Sequence, residues 1–287
     1  MKVSLSGSSG LIGGALLEYY LKQGHEVAAL TRGDFVKGVD HLSEIIKDSE
    51  VVVHLAGAPV VKRWTDFNKE QIWQSRIETT GMLVEAMKRS APSVFLCASA
   101  VGIYQPYELS SEEQPSYGSG FLADVCKNWE MAANEANEFT RVVNLRLGVV
   151  LHPSRGALAS VVVPFRWGLG GRVGNGKQPF PWIHVDDVVA AVDFLANSTL
   201  QGPVNLVSPG QVNSDGFSKC LASVLHRPAW FPVPVLVLRL LYGEGASALL
   251  ATPFVKPGRL LENGFQFKFP NLNGALAHLL KKKEDPD

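Results

Sequence analysis

The sequence predicts an α/β protein: a doubly wound parallel sheet with a smaller lobe at its C-terminal end. Three observations carry that reading. Short β-branched runs alternate with helical stretches from the first residues onward, which is the pattern of strand–helix–strand units. The first unit is joined by a turn whose glycines are spaced G-x-x-G-x-x-G. From Val212 the composition changes to short helical pieces separated by prolines, among them Pro228, Pro232, Pro253 and Pro270. Residues 1–207 are therefore read as the main domain, with 151–182 contributing to a ligand cleft, and 208–287 as the small lobe.

The first unit organises the rest. Val3 and Leu5 belong to a short apolar strand, Ser6 to Gly13 make the turn, and Leu11, Ala15, Leu16, Tyr19 and Tyr20 follow at helical spacing. A second apolar run ends at Thr31-Arg32. Glycines at Gly7, Gly10 and Gly13 let the backbone turn sharply, approach a pyrophosphate and start the helix close to the sheet. The free N–H groups and positive dipole end of that helix then face phosphate oxygens. Spaced glycines alone are a weak signal. Between a first strand and an amphipathic helix, about twenty residues before the next strand's end, they are a strong sign of dinucleotide binding. The end of the second strand sets the type, because an acidic side chain there bonds a ribose 2′-OH whereas arginine pairs with a 2′-phosphate. Thr31-Arg32 favours NADP, with Asp34 keeping NAD as the lesser alternative.

The later elements follow in order. After Arg32 comes a polar link; residues 41–47 then read as a short helix, and 50–55 as a strand ending in Ala56-Gly57, where small residues admit a ligand to the backbone. His54 reads as a hydrogen-bonding strand end, not a metal ligand. One long helix is expected over 66–89, with Ile72, Ile77, Met82, Leu83 and Met87 as its apolar stripe and Gln71 and Arg76 facing either the cofactor or solvent. A strand over 93–99 ends in Ser99, whose hydroxyl at a sheet's carboxyl edge can bond a substrate carbonyl or hydroxyl. Beyond a polar loop at 108–120 come a helix at 121–138 and a strand at 141–147 tipped by Gly148-Val149-Val150. A helix around Pro164, a basic glycine-rich loop at 168–177, a helix N-capped by Asp186 and a strand at 204–207 complete the main domain. The tail, 281–287, reads as disordered.

Composition excludes several classes. Of 287 residues 46% are hydrophobic and 19% charged, as in ordinary globular proteins, and 27 basic residues balance 27 acidic ones. Nothing in that total argues for nucleic acid or an acidic membrane surface. Residues 139–185 nevertheless lack Asp and Glu while carrying Arg141, Arg146, Arg155, Arg166, Arg172 and Lys177, which favours an anionic ligand. Cys97, Cys126 and Cys220 are too few and scattered for a disulfide framework or zinc site, so no metal is expected and a reducing compartment is. Met1-Lys2 runs straight into the first strand, without a signal peptide, and apolar stretches near Val161 and Val235 are broken within ~20 residues, too soon to span a bilayer. The expected location is cytoplasmic.

Four motifs resemble the extended short-chain dehydrogenase/reductase superfamily: Gly7-x-x-Gly10-x-x-Gly13, His54-Leu55-Ala56-Gly57, Ser99-Ala100-Val101-Gly102-Ile103-Tyr104, and Trp182-Ile183-His184-Val185-Asp186-Asp187. Ser75 to Thr80, Pro164 to Gly171 and Leu260 to Phe267 narrow the resemblance to its atypical epimerase-family branch, with a DUF1731-type C-terminal segment. The resemblance implies an NADP(H)-binding Rossmann-type domain and a C-terminal substrate lobe. It places cofactor contacts at Gly7, Ser9, Gly10, Leu11, Ile12, Gly13, Thr31, Arg32, Leu55, Ala56, Gly57, Gln71, Arg76 and Val150, and the catalytic serine at Ser99. Residues 151–155 are less glycine-rich than that branch's pattern.

The superfamily's catalytic Tyr and Lys, four residues apart on one helix, are missing. One helical turn sets the ammonium beside the phenol and lowers its pKa, so the Tyr can exchange a proton. Here Leu122 and Cys126 fall at those positions, and no Y-x-x-x-K occurs anywhere. Lys127 reads as a partner of Asp124 on a solvated face. Three functions stay open. The first is an NADP(H)-dependent oxidoreductase of a small anionic or nucleotide-linked substrate, with Ser99 orienting the substrate, Tyr104 either the proton donor or a buried aromatic, and Arg166, Arg172 and Lys177 clamping phosphate or carboxylate. The second is an NADP(H)-binding regulatory or sensor protein, and the third a sugar-nucleotide epimerase. The apolar stripes near Ile77 and Val125 serve either a homodimer bundle or packing on the sheet.

Overall fold

A computed structural model describes residues 1–281; of the tail expected to be disordered, all but Lys281 lies outside the described residues. Six parallel strands form the central sheet: β1 (Lys2–Ser6), β2 (Glu26–Leu30), β3 (Val51–His54), β4 (Val94–Ala100), β5 (Arg141–Leu147) and β6 (Gly202–Leu206). Their order is β6-β5-β4-β3-β1-β2, which confirms the doubly wound sheet of a Rossmann-type fold. Chain order reverses beside β1, whose Val3 pairs with Val27 of β2 on one side and Val51 of β3 on the other. A crevice opens at such a reversal, at the carboxyl ends of the strands.

The helices, in chain order, are α1 (Leu11–Lys22), α2 (Arg32–Val36), α3 (Val39–Ile46), α4 (Asp66–Gln74), α5 (Ile77–Met87), α6 (Phe121–Asn134), α7 (Gly156–Arg166), α8 (Val185–Ala196), α9 (Ser214–Leu225), α10 (Val235–Tyr242), α11 (Ser247–Leu250), α12 (Gly258–Glu262) and α13 (Leu272–Leu280). On one face of the sheet, Leu16 and Tyr20 of α1 and Val188 and Val192 of α8 pack with Val3, Leu5 and Val53. On the other, Leu42 of α3, Leu83 and Met87 of α5 and Trp129 of α6 pack with Val52 and Phe95. Both faces being covered explains why β3 is apolar from Val51 to Val53. A further core joins Phe165 of α7, Trp182, Phe217 and Leu221 of α9 and Leu276 of α13.

Three local expectations are corrected. The helix expected over 66–89 is two, because Ser75 Oγ and Arg76 Nη1 both donate to the Ile72 carbonyl and the Arg76 N–H reaches back to Trp73. Ending the first helix there turns Arg76 toward the sheet. The N-cap of α8 is His184, not Asp186: His184 Nδ1 accepts from the Asp186 N–H at 2.9 Å. The segment after Thr31, expected to be a polar link, is α2, closed by a capping box between Thr31 and Asp34.

Two glycines test the packing in opposite directions. A Cβ on Gly13 would lie 2.1 Å from the Gly7 carbonyl oxygen, so Gly13→Ala is expected to cost about 1–3 kcal/mol or more in urea denaturation. Gly81, inside α5 with nothing within 4 Å of its Cβ position, is expected to gain about 0.4–1 kcal/mol as Ala.

Candidate cofactor and substrate cleft

Glycine at three points lets the crevice form. Gly7, at φ +75°, lies so close to β3's tip that a Cβ would stand 2.9 Å from the Leu55 carbonyl carbon. Gly13 brings the N-terminal turn of α1 onto Gly7, and Gly57 leaves room for the Arg76 guanidinium. Ser6 ties the two strand tips together: its Oγ accepts from the Leu55 and Ala56 N–H groups at 3.1 and 3.3 Å and donates to His54 Nδ1 at 2.6 Å. His54 therefore carries its proton on Nε2, facing Thr79 Oγ1 at 3.4 Å. Burial, reinforced by the Arg76 charge, pushes His54 down to about 3. It is a neutral strut, in keeping with its reading as a strand-end hydrogen-bonding residue. The Arg155 guanidinium, 3.1 Å from the Ser9 carbonyl and 3.3 Å from that of Gly10, brings a cation to the turn where phosphate oxygens are expected.

The resulting cleft, about 490 Å³, is bordered by Gly7, Gly10, Leu11, Ile12, Gly13, Leu55, Gly57, Arg76, Ser99 and Val150 among the sequence-predicted residues. Ser9 and Ala56 belong to the same two turns without lining it, and Gln71 is exposed on α4, away from the lining. At the end of β2 the Asp34 carboxylate is turned inward. It accepts from the Thr31 N–H and hydroxyl at 2.9 and 2.6 Å and lies 2.9 Å from His41 Nε2. These hydrogen bonds, chiefly from Thr31, hold its carboxyl well below the usual carboxylate range. Arg32 stays exposed, with no hydrogen bond or ion pair among the described residues.

At the tip of β4, Ser99 is 2% exposed and its Oγ donates to Glu130 Oε1 at 2.7 Å. Arg146 of β5, also 2% exposed, grips both Glu130 oxygens at 2.7 Å through Nε and Nη2. Its Nη1 donates to the Tyr104 hydroxyl at 2.7 Å, and that hydroxyl donates to Asn205 Oδ1 at 2.8 Å. Burial raises the Tyr104 phenol pKa despite the Arg146 charge. Tyr104, 1% exposed, does not line the cleft, so the residue considered as proton donor stands in the wall's support. Leu122 and Cys126 do line it, and burial pushes the Cys126 thiol up to about 12, which makes it inert. Lys127 donates to the Gly118 carbonyl, not to Asp124.

The three cations expected at the substrate are elsewhere. Arg166 ends α7, Lys177 is exposed, and Arg172 faces Asp215 at 3.8 Å; none borders the cleft. Sequence reasoning passed over Glu130 and Asn205, and counted Arg146 only among the cations that favour an anionic ligand. Two signals were available: Glu130 sits one turn beyond Cys126 on the same helix face, and Arg146 is a charge inside an apolar strand.

His184, Asp186 and His278 also converge. Because His184 Nδ1 accepts a backbone N–H, its proton is on Nε2 and is given to His278 Nδ1 at 3.1 Å. A metal on Nε2 would require an imidazolate, so the group reads as a hydrogen-bonded clasp between α8 and α13. Burial lowers His184 to about 4; Asp186 opposes that shift, and His278, Lys268 and His152 reinforce it.

Residues 3–207 match the NAD dependent epimerase/dehydratase family, and residues 233–279 match a domain of unknown function, DUF1731. The chain belongs to the NAD dependent epimerase/dehydratase family. The epimerase family protein SDR39U1 homolog, chloroplastic, of Arabidopsis thaliana is 36% identical over 98% of this chain and 87% of its own length. The crystal structure of human epimerase family protein SDR39U1 (isoform 2) with NADPH superposes with a TM-score of 0.90, at 31% identity over 98% of this chain and all of that one. The nucleoside-diphosphate sugar epimerase of Corynebacterium glutamicum, at 30% identity and TM-score 0.79, covers 98% of this chain, which spans 58% of that protein. Among the described residues no helix is long and apolar enough to cross a membrane.

Two measurements probe these supports. Glu130→Leu leaves the Arg146 charge buried without its partner and is expected to cost about 3–5 kcal/mol in urea denaturation. His54 and His184 titrate in the folded chain at about 3 and about 4, below the ~6.5 of an unfolded histidine, so the unfolded state binds more protons as pH falls. Their contribution is complete above about pH 6.5 and is lost as pH drops through 4 and then 3, giving a falling Tm over that window. His184→Asn, which keeps an N-cap acceptor, is expected to flatten the fall between pH 6.5 and 4.

Proposed function

We propose that the protein is an NADP(H)-dependent oxidoreductase. The observation that carries the cofactor assignment is the end of β2, where Asp34 is consumed by its own capping box and Arg32 is left exposed. A carboxylate so engaged has little capacity for a ribose 2′-OH, whereas a free guanidinium suits a 2′-phosphate. The glycine cradle fits a pyrophosphate, because a Cβ on Gly7 or Gly13 would collide with backbone. Gly7, Gly10 and the first N–H groups of α1 would hold the phosphates with Arg155 beside them, Leu55 and Gly57 would flank the cofactor, and Val150 would border it. The human relative's structure with NADPH supports the same choice. Bound NADPH supplies a hydride.

Ser99 is the polar side chain at the reacting end. Its proton points to Glu130, so its lone pairs face the cleft and accept from a substrate hydroxyl. A carbonyl oxygen takes the Ser99 hydroxyl proton, which solvent entering the cleft replaces, and an alcohol runs the same path backwards, while Glu130, held by Arg146, stays a carboxylate that orients Ser99. Arg146 fixes the carboxylate, Tyr104 fixes Arg146, and Asn205 fixes Tyr104. A second reading, an NADP(H)-binding sensor with little turnover, is favoured by Leu122 and Cys126 standing where a catalytic dyad would be. Ile77 and Val125 pack inside the chain with Trp64 and Ile72, so their stripes need no second copy.

Fluorescence titration is expected to show NADPH binding at least about tenfold tighter than NADH, with Arg32→Glu reversing the order. Equal affinities would refute the assignment. With a panel of carbonyl substrates, Ser99→Ala is expected to lose turnover. Tyr104→Phe is expected to keep it while losing about 1–3 kcal/mol of stability, since Arg146 and Asn205 each lose a buried partner. No turnover by the native chain with any carbonyl compound would favour the sensor.

A further inference from the structure

We infer that the substrate half of the cleft takes an uncharged, largely apolar molecule bearing one oxygen function, and not a sugar nucleotide. The inference rests on the cofactor reading above and adds the substrate class to it. Beyond Ser99 the chamber is walled by Val61, Leu122, Val125, Ala248, Ala251 and Pro253. Arg76 is the one charged side chain among all the lining residues, and it belongs to the cofactor half. Its guanidinium lies under Gly57, donates to the Ile72 carbonyl and stacks 5.1 Å from the centre of the Trp129 ring. Thr252, also in the wall, spends its hydroxyl on the Pro179 carbonyl. Ser99 is thus the remaining hydroxyl.

A sugar nucleotide brings a second pyrophosphate into this space. Desolvating its charges without a facing cation is strongly unfavourable, and such groups are normally held by paired Arg or Lys. The nearby cations do not supply that pairing. Lys69 is bound to Glu244, and Lys62 and Arg63, although next to Val61, are not in the lining, Arg63 with its side chain beside Gly243. Arg166, Arg172 and Lys177 lie beyond the wall, as described. One hydroxyl in an apolar chamber instead matches one oxygen function on a hydrocarbon or aromatic skeleton: Ser99 accepts from an alcohol while it donates to Glu130, and donates to a carbonyl when its O–H turns from Glu130 to the cleft. In the reductive direction the carbonyl carbon gains the hydride, its oxygen gains a proton delivered from solvent through Ser99, and NADPH becomes NADP⁺.

The test uses Nile red, an uncharged apolar dye, on the full chain loaded with NADPH, with cofactor binding verified by nicotinamide fluorescence. The dye is expected to bind and brighten, decanal to displace it and to consume NADPH, and UDP-glucose to do neither at millimolar concentration. The ω-carboxylate analogue of decanal is expected to compete at least about tenfold less well, and Val61→Lys to weaken dye binding by about the same factor. Val61 is 46% exposed, so that variant is expected to fold. Displacement of the dye by UDP-glucose, NADPH consumption dependent on UDP-glucose, or absence of dye binding to the NADPH-loaded protein would each overturn the inference. Absence of NADPH binding would sink the cofactor assignment instead, and dye binding and its displacement on the free chain would still decide the chamber.

Discussion

The fold depends most on how closely two backbone turns approach each other at the carboxyl edge of the sheet. Gly7 touches the tip of β3, and Gly13 presses α1 onto Gly7, at separations that leave no room for a Cβ. That contact fixes the helix N-terminus relative to the sheet. It thereby decides where N–H groups point and where the crevice opens. Ser6 and His54 reinforce the same junction, because one hydroxyl bonds two amides of the neighbouring strand tip and one buried imidazole. A neutral His54 suits this place: a cation there would face Arg76 in a medium too apolar to screen the pair.

A second constraint is the buried pair of Glu130 and Arg146. Two charges taken from water are costly unless each is fully engaged. Here both carboxylate oxygens accept from one guanidinium, Ser99 adds a third bond, and Tyr104 takes the last guanidinium donor shown. The pair therefore fixes the one hydroxyl that faces the cleft. The superfamily pattern that the sequence resembles sets a Tyr and a Lys one turn apart on a helix face. In this chain that face carries Leu122, Cys126 and then Glu130, so its charge lies one turn further along, behind the wall. The cleft has a polar point at Ser99 and no ammonium in its lining.

Much of this was legible in the sequence. The glycine turn, the alternating strands, Ser99 at a strand end and Arg32 after β2 are local patterns, and the chain places them where those patterns imply. The single helix expected over 66–89 failed because side-chain bonds from Ser75 and Arg76 to one carbonyl do not show in hydrophobic periodicity. The cluster of cations over 139–185 was real in composition, yet it dispersed in space. Arg141 bonds carbonyls at and just beyond the end of α8, Arg146 is buried with Glu130, Arg155 meets the glycine turn and Arg172 faces Asp215.

What the sequence determined by itself was therefore the sheet, its cofactor turn and the absence of a Tyr–Lys dyad, because each is set by residues close together along the chain. Only the tertiary structure decided which charges meet. Glu130 finds Arg146 across a helix and a strand, Asp34 is held by Thr31 and His41, and the expected clamp residues lie outside the cleft wall. Pairings of that kind depend on distances between separate elements, and no local spacing encodes them.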